Sequence, residues 1–363
     1  MSDFYIGIMS GTSLDGVDGA LAAARGKGCR LIARVHLPYP AGLRRRLLAL
    51  HDHGQDELQR AALLANELAD VYASAVRRLL AHSGKKAGAV AAIGCHGQTV
   101  RHRPRAGYTL QLVNGARLAE RTGIAVVCDF RSRDVAAGGE GAPLAPAFHR
   151  ALFGAARHSR VIVNVGGIAN LTLLPARGSV TGFDCGPGNC LLDAWIMERC
   201  RRHYDHNGAW AARGTVIPRL LKKLLSHPFL RRRPPKSTGR DEFGLAWLHR
   251  ALTGAERPAD VQATLLEFTA TGIARALRSH CAGASEVFVC GGGARNRALI
   301  ARLAALLPGR RIATTAALGV EPEQVEALAF AWLARETLRR RPGNLPAVTG
   351  ARGPRVLGAI YPK

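Results

Sequence analysis

The chain has 363 residues, 47% of them hydrophobic and 21% charged, which allows two or three domains with buried cores and excludes disorder throughout. Basic residues outnumber acidic ones by 51 to 26, with 44 Arg and 7 Lys, for a formal charge of +25 that favours anionic substrates. The arginines are scattered, with short runs only at 44–46, 231–233 and 339–341, and aromatics are 6%, so the basic, aromatic-studded surface of a nucleic-acid binder is not encoded and a solvated Arg-rich surface is the plainer reading.

In chain order, FYIGIMSGTSLDGVDGALAAA (4–24) predicts a β-hairpin, an apolar strand meeting a Gly/Ser/Thr/Asp turn and returning. Residues Asp56–His82 have helical periodicity through Leu58, Ala62, Leu63, Leu68 and Val71, followed by apolar runs at Ala89–Cys95 and Ile124–Cys128. A second hairpin, RVIVNVGGIANLTLLP (160–175), repeats the opening pattern and points to two related lobes. Helices are expected over Gly188–Arg201, Asp260–Cys281 and Glu321–Arg340, with strands at Glu286–Cys290 and Arg311–Thr314. Strands alternating with helices give an α/β architecture with a parallel or mixed sheet. The small, flexible stretch near 130–145 marks the join. Eight cysteines without a CxxC pair read as reduced, buried thiols of a cytoplasmic protein. The N-terminus lacks a signal-peptide pattern, and no apolar run reaches membrane-spanning length.

Three glycine elements stand out. Gly7–Asp18, GIMSGTSLDGVD, combines glycines that let backbone N–H groups approach a phosphate, hydroxyls that add donors, and Asp15 or Asp18, either of which could hold Mg²⁺ through water. Gly166-Gly167 forms a second such turn, and Gly291-Gly292-Gly293 follows a strand and precedes a helix. Close packing explains each alone as well as ligand binding does, though less readily all three. Walker and dinucleotide fingerprints are absent.

His96-Gly97-Gln98-Thr99 lies just after a strand, where α/β ligand sites form; a capping turn is the alternative. Asp184, in FDCGPGN at a strand end, is either a helix cap or a positioned base. Arg131 and Arg133 in DFRSRD either grip an anion or pair with Asp129 or Asp134. Glu326, inside VEALAFAWLA, reads as an acid at a helix boundary.

Together the strings MSGTSLDGVD, GCHGQTVRHRP, CDFRSRDVAAGGEGAPLAP, NVGGIANLT, GFDCGPGNCLLDAW, PKSTGRDEF, CGGGARN, VEALAFAWLA and GNLPAVTGA resemble, in order and over nearly the whole chain, the anhydro-N-acetylmuramic acid kinases of bacterial cell-wall recycling. The resemblance implies the actin/hexokinase/Hsp70 superfamily fold: two RNase H-like α/β lobes around a nucleotide cleft. The lobes are expected at 1–135 plus 342–363 and at 136–341. It implies hydrolytic opening of the 1,6-anhydro ring of 1,6-anhydro-N-acetylmuramic acid and transfer of the ATP γ-phosphoryl to O6, with Mg²⁺, in a cytoplasmic homodimer that binds neither nucleic acid nor membrane.

Carried over by position, Gly11, Thr12, Ser13, Leu14, Asp15, Gly16, Val17 and Asp18 match the phosphate segment. Asn164, Gly166, Gly167, Gly291, Gly292 and Gly293 fall in the other nucleotide loops. Asp184 matches the general base, and Glu326 the acid that helps hold the attacking water. His96, Gln98, Thr99 and Arg131 match the sugar side, Arg131 suiting the lactyl carboxylate. Cys185 stands where Thr is usual, Asp241 where Glu is usual, and Arg297 replaces the usual residue after GGGARN.

Overall fold

The computed structural model describes residues 4–11, 14–26, 28–234, 236–239 and 242–363. Thr12, Ser13 and Asp241 lie outside the described residues. The strands are β1 (Phe4–Met9), β2 (Gly16–Arg25), β3 (Gly28–Pro38), β4 (Val90–Cys95), β5 (Gln98–Arg103), β6 (Tyr108–Leu112), β7 (Val126–Cys128), β8 (Arg160–Val165), β9 (Ile168–Leu174), β10 (Thr181–Pro187), β11 (Glu286–Cys290), β12 (Arg311–Thr314) and β13 (Ala359–Tyr361).

The chain divides into two compact units, residues 1–152 with 324–363, and residues 153–323. In the first, the sheet order is β13-β7-β4-β1-β2-β3; β1, β2 and β3 form an antiparallel meander, while β1, β4 and β7 run parallel. In the second, the order is β10-β9-β8-β11-β12, again a meander of β8, β9 and β10 followed by parallel β8, β11 and β12. Reversing either string gives the same path, so the two hairpins expected from sequence open two copies of one α/β topology. Strand β13, antiparallel to β7, is an addition to the first copy.

The boundaries differ from the expected 135/136 and 341/342. Helix Val325–Leu338 belongs to the first unit, because it lies on β1 and β4 at backbone contact. A Cβ at Gly7 would stand 1.8 Å from the Ala327 carbonyl oxygen, and one at Gly94 2.0 Å from that of Phe330. Only glycine permits so close a helix–strand approach. Residues 136–152 stay with the same unit: Phe148 packs on Trp332 with ring centroids 6.1 Å apart, and Gly141 N–H donates to buried Asp134 at 2.8 Å.

Helix Glu57–Ser83 covers the first sheet with Leu64, Leu68, Tyr72, Val76 and Leu79. The expected core positions Leu58 and Leu63 instead face solvent, 90% and 60% exposed; the apolar stripe lies on another face. In the second unit, helices Pro258–His280 and Arg297–Leu306 seal Val161, Val163, Phe183 and Cys185 with Ile273, Leu277, Leu299 and Leu303.

Candidate functional site

In the first unit, the residues after β4 and β7 meet the β1–β2 turn. Gln98, fully buried, donates from Nε2 to Gly11 O at 3.2 Å, while its Oε1 has no hydrogen-bond partner among the described residues. Such an orphaned buried acceptor calls for a donor from a ligand or water. His96 Nδ1 lies 3.3 Å from Ser10 O, and Arg131 Nε and Nη2 reach His96 Nε2 at 3.1 and 2.9 Å. A carbonyl can only accept and a guanidinium only donate, so the ring is the neutral Nδ1–H tautomer. Burial and the Arg131 charge hold its pKa down to about 3. His96 is thus a relay that orients Arg131, not a titrating base.

Arg131 also donates through Nη1 to Gly141 O at 2.7 Å. Burial lowers its pKa to about 10, against the charges of Glu326 and Asp134 that raise it. Half-buried Glu326, in the first turn of helix Val325–Leu338, is thereby an electrostatic neighbour of Arg131 and not an isolated boundary acid. Thr99 Oγ1 accepts from Gln111 Nε2 at 3.3 Å. At the turn itself, Leu14, whose φ is +54°, folds inward and Val17 is fully buried. Gly16 abuts β3, where a Cβ would lie 2.3 Å from Leu37 O. Of the two carboxylates, Asp18 pairs with His36 at 2.9 Å, while Asp15 is exposed on the turn. Among the described residues no cluster of three His, Cys, Asp or Glu could cage a metal. One exposed carboxylate suits an ion held mainly by phosphates and water.

In the second unit, the remaining glycine elements converge at one end of the sheet. The Gly166 carbonyl accepts from Asn189 N at 2.8 Å, and the Gly167 carbonyl from Gly188 N and Cys190 N at 2.9 and 3.0 Å. A Cβ at Gly188 would stand 2.4 Å from Gly166 O, and one at Gly293 2.3 Å from Val165 Cγ1. Gly291, at φ +76°, leaves room for Asn164, whose Oδ1 a Cβ there would approach to 2.3 Å. That Oδ1 is a second orphaned buried acceptor. Gly292 is near Asn189 Nδ2, the loop forming a 3₁₀ turn before helix Arg297–Leu306, capped by Asn296. The helix therefore starts later than the glycines, and its N-terminus is set apart from them.

Asp184 sits within β10, just before a register shift that ends at Gly186. Asn189, not Asp184, occupies the N-cap position of helix Cys190–Cys200, so the capping alternative falls away. Burial pushes the Asp184 pKa up to about 6, against the lowering effects of the Thr238 N–H bond and the Lys236 charge. Its Oδ2 accepts from Thr238 N at 2.9 Å; Oδ1 accepts no hydrogen bond among the described residues. One oxygen is clamped by backbone, and the carboxylate is poised to exchange a proton near neutrality. Cys185 next to it is buried in the sheet–helix core, so the family's usual hydroxyl at that position would face the core too.

Sequence reasoning gave Lys236 and Thr238 no role. Their signal was the PKSTG string itself, lying beside no strand pattern; the structure runs it along β10, with Asp184 N–H donating to Lys236 O at 3.1 Å. Asp134, expected only as an ion-pair partner of Arg131 or Arg133, is instead a buried carboxylate that accepts from Gly141 N, Asn344 Nδ2 and Thr349 Oγ1 and thereby ties the GNLPAVTGA tail to the Arg131 loop.

No helix among the described residues is long and apolar enough to cross a membrane. The family model for anhydro-N-acetylmuramic acid kinase matches residues 3–363. The chain is 57% identical over 361 residues to the anhydro-N-acetylmuramic acid kinase of Nitrosospira multiformis, covering 99% of both chains. It is 54% identical over 361 residues to that of Nitrosomonas europaea, again covering 99% of both. With that of Chromobacterium violaceum it shares 54% identity over 367 residues and the full length of both.

Proposed function

The chain belongs to the anhydro-N-acetylmuramic acid kinase family and is a sugar kinase, and on that premise we propose that Asp184 directs water onto the anomeric carbon of 1,6-anhydro-N-acetylmuramic acid while ATP phosphorylates O6. The observation that carries this reading is the Asp184 carboxyl, raised to about 6 with one oxygen clamped by Thr238 N–H. Asp184 takes a proton from water, whose oxygen bonds to C1 as the C1–O6 bond breaks. The electron pair released to O6 bonds the γ-phosphorus, and ADP departs. The products are N-acetylmuramic acid 6-phosphate and ADP. Because the phosphoryl group captures O6, no protein acid is needed to protonate the leaving oxygen, which an ordinary glycosidase requires. Such a single base is therefore sufficient.

The remaining residues divide by unit. Gly166, Gly167, Gly291, Gly292 and Gly293, with the orphaned Asn164 Oδ1, take the nucleotide in the second unit. Gly11 and its turn are a further phosphate-binding element. Mg²⁺ accompanying ATP would be held through water by Asp15 or Asp18 and would offset charge on the transferring phosphoryl group. Gln98 and Thr99 bind the sugar. Arg131, oriented by His96 and Gly141 O, holds the lactyl carboxylate with its remaining N–H groups, and Glu326 aligns the water. The same reading makes the enzyme a cytoplasmic homodimer; its eight free thiols, seven of them buried, support a reducing compartment.

The test is Asp184→Asn. Phosphosugar formation should fall by about 10²–10⁴-fold, the usual worth of a general base, while ATP binding is retained. In the unsubstituted enzyme kcat should rise with pH through about 6 as Asp184 ionises, then level off. Near-normal turnover in the variant, or a rate that falls as pH rises through that range, would overturn the role.

A further inference from the structure

The Arg231–Arg233 run has no part in the reaction just described, yet it does not lie flat in solvent. With Lys236, Arg275 and His280 it lines a cavity of about 570 Å³ in the second unit, whose lining also includes Leu230 and Ala276. No carboxylate lines it among the described residues. The cavity opens on the Cys185 side of β10, and none of the nucleotide-loop glycines belongs to it.

Its cations are only partly answered from within. Arg231 donates from Nη2 to Ser226 O at 3.1 Å, and Lys236 Nζ to Phe229 O and Leu230 O at 3.2 and 3.4 Å. Arg232 lies 3.7 Å from Glu242, outside the lining. Arg233 and Arg275 are exposed and make no hydrogen bond or ion pair among the described residues. Burial, then the charges of Lys236 and Arg233, holds the His280 imidazole below its ordinary pKa, a sign that the walls are already crowded with positive charge. Like charges gathered at a concave surface repel one another and focus the field onto an anion. Guanidinium forks match phosphate oxygens in particular. The volume falls within the roughly 300–1,000 Å³ of small-molecule sites, and Leu225, Leu230 and Ala276 add apolar lining to the charged groups.

We propose that this cavity is a second ligand site, taking a small phosphate-bearing anion between the Arg231–Arg233 arm and helix Pro258–His280. Lys236 belongs both to the cavity wall and to the surroundings of Asp184, so an anion bound there bears on the catalytic strand from behind.

Isothermal titration of the full chain with inorganic tripolyphosphate, at physiological ionic strength, tests this. A saturable site is expected. Because each guanidinium supplies charge-assisted hydrogen bonds to the anion, Arg233→Ser with Arg275→Ser should weaken it about 10-fold or more. Arg34→Ser with Arg78→Ser removes the same charge from exposed positions of the first unit and should leave the affinity nearly unchanged. Melting curves confirm that both double variants fold. No saturable binding, an affinity that survives Arg233→Ser with Arg275→Ser, or equal losses in the two double variants would each overturn the proposal. None of these readouts depends on turnover.

Discussion

The two units share one strand order but use glycine for different purposes. In the first, Gly7 and Gly94 lie in the central parallel strands and let helix Val325–Leu338 rest directly on backbone. In the second, Gly188, Gly291 and Gly293 lie beyond the strand ends and let three loops close on one another around Asn164. One set seats a helix on a sheet and the other brings loops together. Yet the buried amide oxygens that have no hydrogen-bond partner among the described residues include one near each hairpin turn, Gln98 Oε1 in the first unit and Asn164 Oδ1 in the second.

Breaking the layer should have the largest effect. Gly7→Ala drives a methyl group into the Ala327 carbonyl, and overpacking of this kind costs about 1–3 kcal/mol or more, readable as a lowered denaturation midpoint. Gly166→Ala meets nothing nearer than 3.6 Å, so its stability should stay within about 0.5 kcal/mol, as at ordinary surface sites, while KM for ATP rises. A midpoint equally lowered in both variants would erase the distinction between the two uses of glycine. The orphaned acceptors sharpen the comparison further. Asn164→Ala should weaken ATP binding by about 10-fold, the worth of one hydrogen bond, and leave KM for the anhydro sugar alone. Gln98→Leu should do the reverse; the same parameter shifting in both variants would contradict the division of labour.

The smallest effect is on stability against pH. Asp184 has a raised folded pKa, so the stability its protonated form contributes is complete below 3.8 and is lost as pH rises through about 6. Asp184→Asn should therefore melt no lower than the unsubstituted protein at pH 5 and slightly higher at pH 8. A lower melting temperature at pH 8 would show the carboxylate to be a structural group.

Both hairpins and the long helices were legible because glycine turns and apolar periodicity are local signals. Strand β3 was not, since GCRLIARVHLP mixes exposed arginines into an edge strand, nor was the β5–β6 hairpin, whose QTVRHR is mostly polar. The unit to which helix Val325–Leu338 belongs was hidden for a different reason. VEALAFAWLA is buried nearly all round, so periodicity names no facing surface, and its partners Gly7 and Gly94 are far away in sequence. At the site, Asp184, Arg131 and the three glycine elements could be singled out by residue type. Thr238 could not, because it acts through its backbone N–H, which any residue possesses. The tautomer of His96 likewise depends on Ser10 and Arg131 reaching it from separate segments.

The most direct measurement is mass spectrometry of the product formed from 1,6-anhydro-N-acetylmuramic acid and ATP in ¹⁸O-water, sampled before the reducing end exchanges with solvent. One ¹⁸O at the anomeric position and unlabelled phosphate on O6, formed by the unsubstituted enzyme and nearly abolished by Asp184→Asn, is the predicted result. Label in the phosphate, or a labelled product made just as fast by the variant, would contradict the account.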